Sequence, residues 1–139
     1  MLARRGALVG VLGLGASVAA CTSSATAIQQ HELEVKIVAS PQVSQKTVGC
    51  YLLKIGNFGD GGRALGTATN TSSTTLELSP QISFVNPEGQ SLGNIGVDGT
   101  VPPGKSWEWN TTGALTPSAS VKDLRISHCV LRTEVTPSS

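Results

Sequence analysis

Aromatic side chains are scarce in this sequence: two tryptophans, one tyrosine and two phenylalanines. With so few rings and no run of lysine or arginine, it offers neither a stacking platform nor a basic stripe for nucleic acid. Charge is also sparse. Ten basic and nine acidic residues leave a formal +1, so no net field steers an anionic partner. The only histidines are His31 and His128. Neither has a carboxylate at ligand spacing, which argues against a zinc centre. No Asp-x-Asp-x-Asp run offers the converging oxygens that calcium needs. There is no Gly-x-Ser-x-Gly elbow and no Ser-x-x-Lys pair to activate a serine. Gly56-Asn57-Phe58-Gly59-Asp60-Gly61-Gly62 lacks the Lys-Ser/Thr and the helix of a phosphate cradle. No two of the nine carboxylates stand out as a glycosidase pair. These absences lead to the expectation of a chain that is not an enzyme and holds no cofactor or metal.

The first twenty-one residues are more informative. Arg4 and Arg5 precede an uncharged, mostly apolar run from Gly6 to Ala20, which ends in Val18-Ala19-Ala20-Cys21. This is secretory leader architecture, and the run is too short for a bilayer span of about 20 apolar residues. Small residues leading into a cysteine resemble the lipobox of bacterial lipoproteins. The resemblance implies cleavage before Cys21, diacylglyceryl transfer to its thiol, and an extracytoplasmic protein anchored to the bacterial cell membrane. Two acyl chains anchor stably where one binds only marginally. The alternative is an ordinary Ala-x-Ala cut with Cys21 incidental. Losing Arg4 and Arg5 leaves eight basic against nine acidic residues.

Cys50 and Cys129 remain, an even pair in an exported chain, and such pairs usually oxidise. Two free thiols are the alternative. A bridge would close a loop of about eighty residues, for which chain entropy gives roughly 4–5 kcal/mol.

Beyond the leader no window of eleven residues shows helical spacing, and the dominant period is two. Leu33, Val35 and Ile37 alternate with Glu32, Glu34 and Lys36. Tyr51, Leu53 and Ile55 alternate with Cys50, Leu52 and Lys54, and Leu124, Ile126 and Val130 with Arg125, Ser127 and Cys129. If those apolar sets face the core, both cysteines point outward and can bridge only if their strands are neighbours or nearly so, tying an early strand to the last strand. Leu52 and Leu131 share the cysteine face, so that face is expected to be partly covered. The run Leu76, Leu78, Ile82, Phe84 contains Pro80, which cannot donate to a ladder and predicts an edge strand or a bulge. Turns are expected at Asn70-Thr71-Ser72-Ser73, Asn86-Pro87-Glu88-Gly89, Asp98-Gly99 and Pro102-Pro103-Gly104.

The predicted fold is all-β, a single antiparallel Ig-like β-sandwich of about seven strands. Residues 1–20 read as the leader, 21–31 as lipidated cysteine and spacer, 32–135 as the domain and 136–139 as a tail. Gly66-Thr67-Ala68-Thr69-Asn70-Thr71-Ser72, then Ile82-Ser83-Phe84-Val85-Asn86-Pro87-Glu88-Gly89, then Val101-Pro102-Pro103-Gly104-Lys105 resemble the FxLYD-type Ig-like domain of bacterial lipoproteins. The resemblance spans roughly Val48 to Val135. It departs at the name-giving motif, where only Phe84 and the Asn86–Gly89 turn match and the Tyr-Asp is missing. It implies a fold and an extracytoplasmic setting, and no catalytic residues.

Trp107 and Trp109 share one face of a short strand. They either fill the end of the core or form an exposed patch that binds a protein or glycan. His128, between Ile126 and Val130, reads as a hydrogen-bonded core or interface histidine. Asn70-Thr71-Ser72 and Asn110-Thr111-Thr112 match the N-glycosylation sequon, but a bacterial leader makes that reading moot. The expected function is a non-catalytic binding or accessory module of the cell envelope, held to the membrane by its lipid and recognising an envelope protein or glycan. The alternatives are an inhibitor or exclusion factor blocking an envelope protein, and an envelope enzyme with an unrecognised site.

Overall fold

A computed structural model describes residues 28–55 and 60–138. The leader, Cys21 and most of the expected spacer lie outside the described residues.

The protein is all-β, as its period-two sequence predicts. Its strands are β1 (Ile28–Ile37), β2 (Val43–Ile55), β3 (Asp60–Asn70), β4 (Leu76–Val85), β5 (Ser91–Gly96), β6 (Gly99–Val101), β7 (Ser106–Ala114) and β8 (His128–Pro137). They form one sheet in the order β5-β4-β8-β1-β2-β3-β7, with β6 also on β4. The count is eight where about seven were expected. The sheet is mixed, because β1 runs parallel to β8. β1 carries the fold's turn: Ile28 to Leu33 pair with β2, and Glu34 to Ile37 pair with β8. One long strand thus serves both halves, and the sheet curls towards a barrel instead of separating into two antiparallel layers. Its two outer strands meet at a corner, where Thr111 Oγ1 donates to the Gly96 carbonyl at 2.9 Å.

β1 begins at Ile28, inside the segment read as spacer, and β8 reaches Pro137 in the expected tail. Residues 115–127, which include the expected strand around Leu124 and Ile126, form an irregular connection, and Leu124 is 61% exposed.

The core sits between the two halves of the sheet. β3 contributes a small-residue face of Gly62, Ala64, Gly66, Ala68 and Asn70, all buried. The facing large side chains occupy the space this leaves. Phe84 packs directly on Gly62, and a Cβ on Gly66 would fall 2.8 Å from the Trp109 ring. Leu76, Leu78 and Ile82 of β4 and Leu131 of β8 complete the core.

The Cys50–Cys129 disulfide is present, with Cα atoms 6.6 Å apart. It ties an early strand to the last one as expected, across the intervening β1, but it does not lie on an outer face. Both cysteines are fully buried, and the bridge joins β2 of one half to β8 of the other. The expectation took Tyr51, Leu53 and Ile55 as the core set, whereas Cys50 and Leu52 also carry apolar bulk and meet the core; a bulge precedes them in β2. Lys46 pairs with Thr67 but Gly49 pairs with Leu65, so β2 carries one extra residue there. Thr47 sits at the bulge with φ 51°, a left-handed conformation unusual for a β-branched residue. The insertion reverses the alternation. Val43 belongs to the core before it, and Val48, Cys50 and Leu52 turn to the core after it. Tyr51, expected inside, is half-buried on the opposite face; Leu53 on that face is buried as expected, at 7% exposure, but stands outside this core cluster.

Pro80 lies in a central strand, between β8 and the β5–β6 pair, and not at an edge. Its carbonyl accepts from Val97 N at 3.3 Å. Its missing N–H therefore faces the same side, where β5 has ended and β6 has not begun. The sheet is interrupted where the proline cannot donate.

Candidate functional site

The strands give the molecule two unlike ends. Ile28 pairs with Ile55, and the end of β7 lies opposite the start of β3. That end also carries the Asn86–Gln90 turn and the 115–127 connection. The other end collects the β1–β2 loop (38–42), the β3–β4 turn (71–75) and the β6–β7 turn (102–105).

Asn70 organises this second end. Its side chain is fully buried. Nδ2 donates to the carbonyls of Thr74 and Val101, both at 2.8 Å. Oδ1 accepts from Ser72 N at 2.8 Å and Ser72 Oγ at 2.7 Å. All four hydrogen-bonding positions of the amide are used. The main chain extends the network: Asn70 N donates to Lys105 O at 3.0 Å, Gly104 N to Asn70 O at 2.8 Å and Thr71 N to Gln42 O at 2.9 Å. Two loops are thus tied to Asn70 and the third to its neighbour Thr71. The Pro102–Lys105 turn closes with Lys105 N donating to Pro102 O at 3.2 Å. Gly104 takes φ 71°, as the third residue of a type II turn requires.

Around this framework the surface is apolar and hydroxyl-rich. Ile37 is 47% and Val38 40% exposed. Pro41 of the β1–β2 loop and Pro102, Pro103 and Lys105 of the β6–β7 turn are also exposed. Such a surface can bury apolar area against a partner and direct one cation to it.

Trp107 and Trp109 do not form an exposed pair. Trp109 is 3% exposed and belongs to the core. Its Nε1 donates to Gln45 Oε1 at 3.0 Å, and Gln45 Nε2 donates to Thr133 Oγ1 at 3.1 Å. The indole thus anchors a polar bridge between the two halves of the sheet. Trp107 is half-buried, packed against the core and over Gly99.

The outer face of β2, β3 and β7 holds a shallow cleft of about 360 Å3, bordered by Thr47, Arg63, Leu65, Thr67, Glu108 and Asn110. The Arg63 guanidinium stands 5.9 Å from the Tyr51 ring centroid, within cation–π range. Arg63 also donates to Gln30 Oε1 at 3.4 Å. His128 is half-buried rather than in the core, with Nδ1 3.1 Å from Ser127 Oγ. His31 is exposed on β1. Among the described residues no three of the His, Cys, Asp and Glu side chains converge closely enough to hold a metal ion. Among the same residues no helix is long and apolar enough to cross a membrane.

At the first end, Asn86 repeats the role of Asn70. It is fully buried, accepts from Glu88 N at 3.0 Å and Gln90 N at 2.9 Å, and donates to Gln90 Oε1 and Asp123 O, each at 3.0 Å. Asp123 in turn pairs with Arg125 at 2.7 Å. The Arg125 side-chain hydrogen bond, then its backbone N–H, lower the Asp123 carboxyl from 3.8 to about 2. Sequence reading marked both asparagines as turn residues and missed that they tie separate loops together. Each Asn opens a turn immediately after a buried strand, and that was the available signal.

No known protein family, curated protein or solved structure matches this chain.

Proposed function

We propose that this chain is a lipid-anchored cell-envelope protein whose domain is a non-catalytic binding module, and that the loop cluster around Asn70 is its recognition surface. Its finer placement as an FxLYD-type Ig-like domain of a bacterial lipoprotein belongs to the same proposal. The observation that carries it is the polarity of the strands. β1 starts at Ile28, only seven residues after Cys21, and runs towards the Asn70 end. A lipid on Cys21 would hold the opposite end at the membrane and turn the three tied loops outward. The buried disulfide supports export, since such bridges form and persist in oxidising compartments. Preorganised loops also lower the ordering cost of association.

Crosslinking on intact cells tests the surface, comparing the parent chain with a Val38→Asp/Lys105→Glu variant and an Arg63→Ala control on the outer face. One dominant partner lost in the first variant and kept in the control is the expected result. An unchanged partner set in both would overturn the assignment. The anchor is tested separately. Cys21→Ser is expected to move the protein from the membrane to the soluble fraction, and continued sedimentation with membranes would remove it.

A second reading, an inhibitor or exclusion factor that blocks an envelope protein, draws on the exposed Ile37 and Val38 beside the Pro102–Pro103 turn. It requires that the partner lose activity on binding, where a simple accessory module leaves it active.

A further inference from the structure

We infer that the 115–127 connection rests on the bilayer, with Leu124 inserted at the headgroup level; this rests on the lipid-anchor reading above. Thirteen residues without regular structure are unusual between two strands of a compact domain, and such loops are commonly functional. This one is not loose. Leu115 N donates to Asp60 O at 3.1 Å, Ser127 N donates to Val85 O at 2.8 Å, and Asn86 Nδ2 holds the Asp123 carbonyl at 3.0 Å. The loop is therefore pinned across the end of the molecule at which β1 begins. Beyond its turn at Ala119–Ser120 it presents Leu124, which at 61% is the most exposed of the large apolar side chains described. Holding an apolar side chain outward on a fixed loop is unfavourable in water.

The length of the preceding chain selects the occupant. Six residues lie between Cys21 and Ile28, and the seven steps that join the two, at about 3.3–3.6 Å each, reach at most roughly 25 Å when fully extended. A lipid on Cys21 thus keeps this end within a tether's length of the headgroups. Charge there is balanced: Lys54, Lys122 and Arg125 against Asp60, Glu88 and Asp123. The contact is accordingly apolar, and a zwitterionic surface suffices for it. The bilayer then fixes the tilt of the domain as well as its location.

The test uses the lipidated full-length chain in phosphatidylcholine vesicles with brominated acyl chains. Leu124→Trp is compared with Ile37→Trp at the far end, each against the parent chain, which supplies the shared Trp107 and Trp109 background. The inference expects loss of most of the emission added at Leu124→Trp, with a blue shift, and retention of that added at Ile37→Trp. Equal quenching at both sites, or none at Leu124→Trp in chains that sediment with the vesicles through Cys21, overturns the loop contact and leaves the anchor standing. Failure of the parent chain to sediment, or sedimentation of Cys21→Ser equal to the parent's, overturns the anchor and the loop contact together.

Discussion

Two asparagines and one tryptophan hold more of this molecule than their number suggests. Asn70→Ala would strand the buried Val101 carbonyl and remove the acceptor for both Ser72 N and Ser72 Oγ, while the Thr74 carbonyl keeps its bond from Ser72 Oγ. At about 1–3 kcal/mol per unsatisfied buried group, we expect a loss of more than about 2 kcal/mol, read as a lower urea midpoint. Trp109→Ala would remove the largest ring in contact with Gly66 and break the bridge through Gln45 to Thr133. Aromatic truncation in a core costs about 3–5 kcal/mol, which places this variant near unfolding, and the same urea titration measures it. Trp109→Phe should recover most of the packing and none of the hydrogen bond. Asp123 provides a pH test. Its carboxyl sits at about 2 instead of 3.8, so its pairing with Arg125 holds above pH 4 and is lost as pH falls through the folded value. Carbon-13 NMR should find that midpoint, and Arg125→Gln should return it towards the ordinary carboxylate range.

At the scale of the element, β2 decides which side chains become core, and a single residue decides β2. Deleting Thr47 would remove the bulge and restore unbroken alternation from Val43 onward, which would turn Cys50 away from Cys129. Non-reducing mass mapping is then expected to show two alkylatable thiols and no linked peptide. Thr47→Gly keeps the bulge and relieves the left-handed conformation. We expect it to be neutral or stabilising by up to about 1 kcal/mol. The same bulge marks where the sequence ceased to be legible. β1 and β4 could be read because their alternation runs unbroken, and the turns at Asn86–Gly89 and Pro102–Lys105 because their residues demand them. In β2 the stretch after the bulge carries apolar residues on both faces, Cys50 and Leu52 against Tyr51 and Leu53, so alternation alone does not say which set meets the core. Leu52 and Leu131, which share the cysteine face, were the available clue. In β8 the false strand over Leu124 and Ile126 came from apolar spacing alone; the chain there is held by side-chain contacts of Asn86, which periodicity does not report. Of the candidate site, the turn residues were legible one by one. Their assembly around Asn70 depends on strands far apart in sequence.

For the whole molecule, the disulfide ties the two halves of the curled sheet across a sequence separation of 79 residues. Removing it with Cys50→Ala/Cys129→Ala should cost about 2–5 kcal/mol, seen as a lower denaturation midpoint with the far-UV β-signal retained at low denaturant. The parallel pairing of β1 with β8 extends the same theme. The strand that opens the domain has no complete partner until the strand that closes it has arrived, and the bridge between β2 and β8 waits on the same event. Contacts this distant in sequence make folding slow. A nascent chain whose C-terminal strand is not yet made cannot finish the sheet. The order of the strands therefore makes closure of the sheet wait on the last of them, so the domain is completed only once nearly the whole chain has been synthesised.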